Sequence, residues 1–357
     1  MIKQMFPERE NSHTFGRNVL VAVATVIAIF AVTGIMAAQD AAVAVPSLQL
    51  QIAPQDKAAA VTVSNFRFHA LGANTAAAKA LPKAMFTGGR PALKAPLAAA
   101  TVPAVPAPGF YPSDLSYFGG HFLTSMQSHA LTVNCGFNCF GQPNKFLSDL
   151  GQSTFIHVVD QYVGTTADNR YTVGKSASFS ETIFGNTLSQ SDLFALIHAG
   201  AAAMGTGYGH MYHLFLAPGI DTCFDLTNIC YSPDNPSSFF FCAYHGSLDF
   251  SDIGHVIFSI EPSQNVPGCQ VPKPAPNGIL ADSTNSTLSH EMIEAITDPD
   301  LDAWFTFSSL DTAGAEIGDL CQPIAFVVGF PNSVLNGKNY KIQLEYSNTY
   351  HACANVP

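Results

Sequence analysis

The pattern of apolar and polar positions marks out a short series of elements. Ser153 to Asp160 is a compact, mostly apolar run of strand length and reads as a buried strand. Between Ser191 and Met204, residues Leu193, Leu196, Ile197, Ala201 and Met204 share one helical face. Gly205 is the stop signal, and Gly200 is the weak point inside. Met211–Leu216 and His255–Ile260 read as further apolar strands. Asn285–Asp298 reads as a second helix, capped by Asn285 or Ser286 and closed by Pro299. Earlier in the chain, Val61 to Phe68 alternates like a short strand. The order predicts an α+β domain with one sheet and a few helices. The long stretches 218–250 and 262–283 lack periodicity and carry Cys223, Cys230, Cys242 and Cys269.

The N-terminus follows another logic. Lys3, Arg9 and Arg17 precede 20 residues, Val19 to Ala38, with no charged side chain. That length spans a bilayer as a helix. Ala42-Val43-Ala44 also offers a small-residue cleavage site, so residues 1–44 are a signal peptide or a retained N-terminal anchor. Either fate takes the remainder out of the cytoplasm, to the extracellular side or the cell surface, and attaches it to a membrane only through 19–38 if uncleaved. In an exported chain, eight cysteines read as disulfides, with Cys135–Cys139 as a small loop and Cys321–Cys353 as the first candidate among the rest. Residues 45–110 are rich in Ala and Pro, the composition of a linker. Their basic charge makes a pro-segment docked on an acidic core the alternative. Residues 111–357 form the domain proper.

Charge sharpens this division. Residues 1–110 hold nine Lys/Arg against four Asp/Glu, and the rest holds six against 22. The overall charge of −11 lacks the basic footprint of a nucleic-acid binder.

The chemistry concentrates in Ser289-His290-Glu291-Met292-Ile293-Glu294. On a helix His290 and Glu294 share a face, while Leu288, Met292 and Ile296 form an apolar back. The pattern H-E-x-x-E is one residue from the zincin H-E-x-x-H, in which positions i and i+4 hold Zn²⁺ and the first Glu is the general base. A carboxylate is a legitimate zinc ligand, so His290 and Glu294 are candidate ligands and Glu291 the candidate catalytic base acting on a metal-bound water. Glu316, 22 residues after Glu294, is the favoured third ligand, and Asp319 is its substitute or supporting partner. One imidazole with carboxylates is an oxygen-rich set, so Ca²⁺ or Mn²⁺ stand beside Zn²⁺ as candidates. The chain has only eight Glu, and three lie between 291 and 316, which argues against a decorative surface cluster. His210, His213 and His245 read as structural histidines that can also hydrogen-bond a substrate or hold a ligand in place, and His198 as an ordinary helix residue.

Several segments resemble the EXORDIUM-like, phosphate-induced protein family. They are Tyr117-Phe118-Gly119-Gly120, Cys242 through His245-Gly246-Ser247, Ser289-His290-Glu291 with Glu294, Glu316 through Cys321, and Gln343 to Asn348 before Cys353. The likeness covers about residues 112–355 and implies an extracellular or cell-wall-associated protein. With the zincin-like motif, the expected fold is a zincin-like mixed sheet with an active-site helix, a backing helix and disulfide-stabilised loops. Two functions follow. One is a secreted metal-dependent hydrolase acting on peptides. The other is a non-catalytic surface protein binding a cell-wall polymer or a receptor.

Overall fold

A computed structural model of the chain describes residues 47–50, 61–81, 86–90, 114–180, 186–224, 229–306, 315–322 and 330–357. Among them, nine strands form one mixed sheet: β1 (Ser47–Leu50), β2 (Val63–Gly72), β3 (Thr87–Gly88), β4 (Met126–Val133), β5 (Tyr171–Val173), β6 (Ser176–Phe179), β7 (His210–Leu216), β8 (Phe241–Phe250) and β9 (Gly254–Glu261). The order is β1-β6-β4-β7-β9-β8-β2-β3, with β5 also on β4. Pairing is parallel from β1 to β9 and antiparallel from β9 to β3.

Helices cover both faces. Helix α1 (Pro143–Gly151) and helix α3 (Ile279–Thr297) lie on one, where Leu288, Met292, Ile293 and Ile296 pack with Ala130, Met211, Phe215 and Ile257. Helix α2 (Gln190–Met204) covers the other, setting Leu193, Leu196 and Ile197 against Leu131, Tyr212, Leu214 and Phe258. Ser189 and Asp192 form a capping box at its start, and Gly205 ends it at φ 127°. The mixed α+β class, α2, β7 and β9 agree with expectation. Four disulfides, Cys135–Cys139, Cys223–Cys230, Cys242–Cys269 and Cys321–Cys353, tie the loops, both sequence candidates among them.

Three expectations are corrected. The apolar run 153–160 is not a strand but a 3-10 turn, Phe155–Val159, leading into a short helix, Asp160–Val163. A short apolar run carries no periodicity that separates the two. The contact of His157 Nδ1 with Asp160 Oδ2 at 2.8 Å favours the helical spacing. Helix α3 begins at Ile279, six residues before the expected start, with Gly278 as its cap. Its polar first half is legible as a cap but is used by neighbours instead. The Ser283 hydroxyl accepts from Val271 N at 2.9 Å, and the Ser286 hydroxyl accepts from Gln343 N at 3.1 Å. The result is a helix buried on all sides from Asp282 to Thr297.

The third correction concerns 45–110. Its stretch 63–72 is not linker but a strand of the main sheet. Alternation explains the placement. Phe66 and Phe68 point to the α2 face, where Phe66 meets Phe194 at 4.9 Å, while Arg67 and His69 point to the α3 face. The Val19–Ala38 span lies outside the described residues, and no described helix is long and apolar enough to cross a membrane.

Gly246 of β8 tests this pairing. A Cβ there would stand 1.9 Å from the Arg67 carbonyl oxygen. Gly246→Ala is expected to lower stability by about 3 kcal/mol, the upper range for overpacking, read as a fall in the urea midpoint.

Candidate metal centre

The sheet register lays a polar row beneath α3. Thr87 of β3 pairs with His69 of β2, His69 with His245 of β8, His245 with Ser259 of β9, and Ser259 with His213 of β7. Paired residues project to the same face, so three imidazoles and two hydroxyls form a line across five strands. Helix α3 lays His290, Glu291 and Glu294 over this row, and the turn 316–319 closes it from the side.

His290 and Glu294 meet as their spacing requires, with Nε2 and Oε1 3.1 Å apart. Gln343 Nε2 donates to both Gly318 O at 2.6 Å and His290 Nδ1 at 3.1 Å. That leaves the ring proton of neutral His290 on Nε2, beside Glu294. Gly318 is required here, because a Cβ would stand 2.4 Å from His290 Nδ1. The Asp319 amide donates to Glu294 Oε1 at 3.1 Å.

His245 is arranged differently. Its Nδ1 donates to Glu291 Oε2 at 3.2 Å, with Glu294 Oε2 3.5 Å away. Its Nε2 therefore carries a lone pair, and it faces Glu316 Oε2 at 3.5 Å without a hydrogen bond. This tautomer, one nitrogen anchored on a carboxylate and the other free, is the one that metal-binding histidines adopt. His245, Glu291, Glu294 and Glu316 are all fully buried. Glu291 Oε1, Glu294 Oε2 and Glu316 Oε2 also have no hydrogen-bond partner among the described residues. His245, Glu291 and Glu294 can bring one ligand atom each within 4.8 Å of one another, as can His69, Glu294 and Asp319.

All five residues chosen from sequence thus meet in one place, but His245 stands between Glu316 and the helix pair. Sequence reasoning passed over four other contributors. His69 bonds Asp319 Oδ2 at 2.6 Å, and Arg90 Nη2 reaches Glu316 Oε1 at 3.2 Å. Asp298 follows directly on α3. Glu345 is fully buried with both oxygens unpartnered among the described residues. A pairing register, which no local motif reports, would have been needed to align His69 with His245.

The electrostatics follow from burial. Desolvation pushes Glu291 well above the carboxylate range, helped by the charges of Glu294 and Glu261. Desolvation does the same to Glu316, with Asp298 and Glu294 adding to it, and to Glu345, with Glu294 and Asp319 adding. Burial works against the Glu294 carboxylate too, but His290 and His245 hold its pKa below the ordinary value. Burial lowers the pKa of His245, keeping it neutral. It also opposes charge on His290, where Glu294 outweighs it and raises the pKa.

Comparison of the chain with protein-family models, with curated proteins and with solved structures returns no match.

The acids give a pH signature. Burial lifts Asp298 to about 7, against the pull of Arg90, and Glu261 to about 8. Near neutrality the folded chain holds protons there that the unfolded chain has lost, so its stability falls as pH rises toward 8. His129 and His213, held by burial at about 4 and about 3, act the other way, but their effect is complete above the ordinary value of 6.5. Chelator-treated protein is expected to melt at a lower temperature at pH 8 than at pH 6.5, by calorimetry.

Proposed function

We propose that the chain is a secreted or cell-surface metal-dependent hydrolase acting on peptides, built on an EXORDIUM-like, zincin-like domain. The supporting observation is the set of buried, unpartnered atoms: His245 Nε2, Glu291 Oε1, Glu294 Oε2 and Glu316 Oε2. Burying such groups unsatisfied is costly, and a divalent cation among them would offset that cost. Ligand atoms about 2.0–2.2 Å from a tetrahedral cation stand roughly 3.4 Å from one another. The 3.5 Å between His245 Nε2 and Glu316 Oε2 fits that spacing.

His245 Nε2 and Glu316 Oε2 would hold the cation on one side of the imidazole, while Glu294 Oε2 lies 3.5 Å from the other ring nitrogen, Nδ1. His290 keeps Glu294 ionised, and the Asp319 amide and the His69–Asp319 pair fix the surrounding turn. The oxygen-rich set suits Zn²⁺ and also admits Mn²⁺ or Ca²⁺. When bound, the cation would supply Lewis acidity for attack on a carbonyl. Burial favours a proton on Glu291, and the charge of a bound cation would favour its ionised form; so ionised, it would anchor His245 through Oε2 and have Oε1 left to take a proton from an attacking water and return it to the leaving amine. The four disulfides support an oxidising destination, in keeping with an exported chain.

One observation favours the second reading, a non-catalytic binder of wall polymers or a receptor: the centre is fully buried between the sheet and α3, with Arg90 against Glu316. One experiment separates the two. Purified protein is expected to carry a stoichiometric divalent cation by elemental analysis. Glu291→Gln is expected to keep the fold and the cation while losing peptide hydrolysis by at least about 100-fold, the range for general-base removal. A folded chain without cation overturns both the centre and the hydrolase. A cation-loaded chain whose peptide hydrolysis is absent, or indifferent to the substitution, supports the binder.

A further inference from the structure

The approach of the N-terminal segment to the centre carries more than packing. Arg90 lays its guanidinium over the Phe305 ring, with Cζ 4.0 Å from the centroid. Phe305 itself stacks on Phe118 at 4.0 Å and 3°. Arg90 Nη2 lies 3.2 Å from Glu316 Oε1 and 4.0 Å from Asp298 Oδ2, and both acids are fully buried. Asp298 Oδ2 has no hydrogen-bond partner among the described residues. Two carboxylates beside an aromatic face match a guanidinium, which is planar, always charged and able to stack, better than they match an ammonium.

The backbone that delivers Arg90 is fitted closely to β2. A Cβ on Gly88 would stand 2.3 Å from the Phe68 ring. Gly89, at φ 71°, would place one 2.1 Å from the Phe66 carbonyl oxygen. Glu316 divides its two oxygens: Oε1 takes the guanidinium and Oε2 faces His245. An arginine held here lies against the same carboxylate that borders the candidate metal centre. The segment that supplies it comes from the net-positive part of the chain and the acids from the net-negative part.

We propose that Glu316, Asp298 and Phe305 form a recognition slot for the arginine side chain of a peptide substrate, and that Arg90 is a resident pseudo-substrate that keeps the slot closed. This rests on the hydrolase reading for its consequence, since only a hydrolase gains a specificity from it. The occupied slot accounts for the burial of the centre: substrate enters only when Arg90 leaves.

The test uses the full exported chain with Arg90→Ala, and Arg90→Gln as a variant that keeps most of the side-chain length. The probe is N-acetylarginine amide, followed by titration calorimetry, with N-acetylcitrulline amide as the uncharged control. The expected result is saturable binding to Arg90→Ala at least ten-fold tighter than to the wild type, with no binding of the control. Equal uptake by wild type and variant, or equal uptake of probe and control, overturns the slot. So does failure of both variants to fold, because Arg90 is then a structural strut. Cation content is measured on the same samples. Probe binding in a chain that holds no cation keeps the slot and removes the hydrolase. A cation-loaded chain whose folded variant ignores the probe removes the slot and keeps the hydrolase.

Discussion

Withdrawal of ionisable side chains from water, between one face of the sheet and a helix buried on all sides, is the constraint on which this structure turns. Five glutamates, Glu261, Glu291, Glu294, Glu316 and Glu345, have no solvent exposure, and His213, His245 and His290 are buried with them. A buried charge must be paired, neutralised by a proton or coordinated. The chain uses the first two solutions unevenly. Glu294 is stabilised by imidazoles, Glu316 faces Arg90, and burial drives Glu291 and Glu345 toward their neutral forms. An interior selected for stability alone would fill this space with side chains like Ile293, which packs beside the cluster on the same helix. Retaining so many acids points to a role that apolar packing cannot fill.

What the sequence disclosed follows the range of the interactions. His290 and Glu294 are four apart on a helix, so their meeting is local and legible. The Glu316–Asp319 turn was legible because Glu is scarce, and the disulfides Cys135–Cys139 and Cys321–Cys353 because the N-terminal pattern predicts an exported chain whose cysteines pair. The placement of His245 against the acids of α3 was hidden. Its ligand-like tautomer depends on Glu291, 46 positions away, and its neighbour His69 arrives by strand pairing from a segment whose composition reads as a spacer. Alternation at Val61–Phe68 signalled a strand but carried no information about its partner. The start of α3 was obscured for a related reason: its run of Ser, Thr and Asn has the chemistry of a cap, and only the backbone amides of Val271 and Gln343 reveal that it caps nothing.

The N-terminal segment also changes how the centre is viewed. Without β2 and β3, β8 would be the sheet edge, and a bare edge invites pairing with an extended chain. The segment fills that edge from within the same polypeptide and places Arg67 and His69 on the polar face. Arg67 reaches Ser247 at 3.2 Å and Asp300 at 3.3 Å, so its charge is spent on a polar cluster beside the centre rather than in solvent. Coverage of the edge and neutralisation of the acids are therefore one structural act.

The floor of the site is itself a buried polar chain. His213 Nδ1 lies 2.9 Å from the Ser259 hydroxyl, which donates to Glu261 Oε1 at 2.8 Å, and all three residues have no solvent exposure. Burial lowers the pKa of His213, so the ring is neutral near physiological pH; burial also raises that of Glu261. The charge on Glu261 is one of those that raise the pKa of Glu291. The hydrogen bond from Ser259 favours the ionised form of Glu261, and desolvation opposes it more strongly. A proton on Glu261 removes a repulsion that Glu291 would otherwise feel, and so makes Glu291 easier to ionise. The protonation of Glu261 is thus coupled through charge to that of Glu291, and the Ser259 hydroxyl bears on the first of the two.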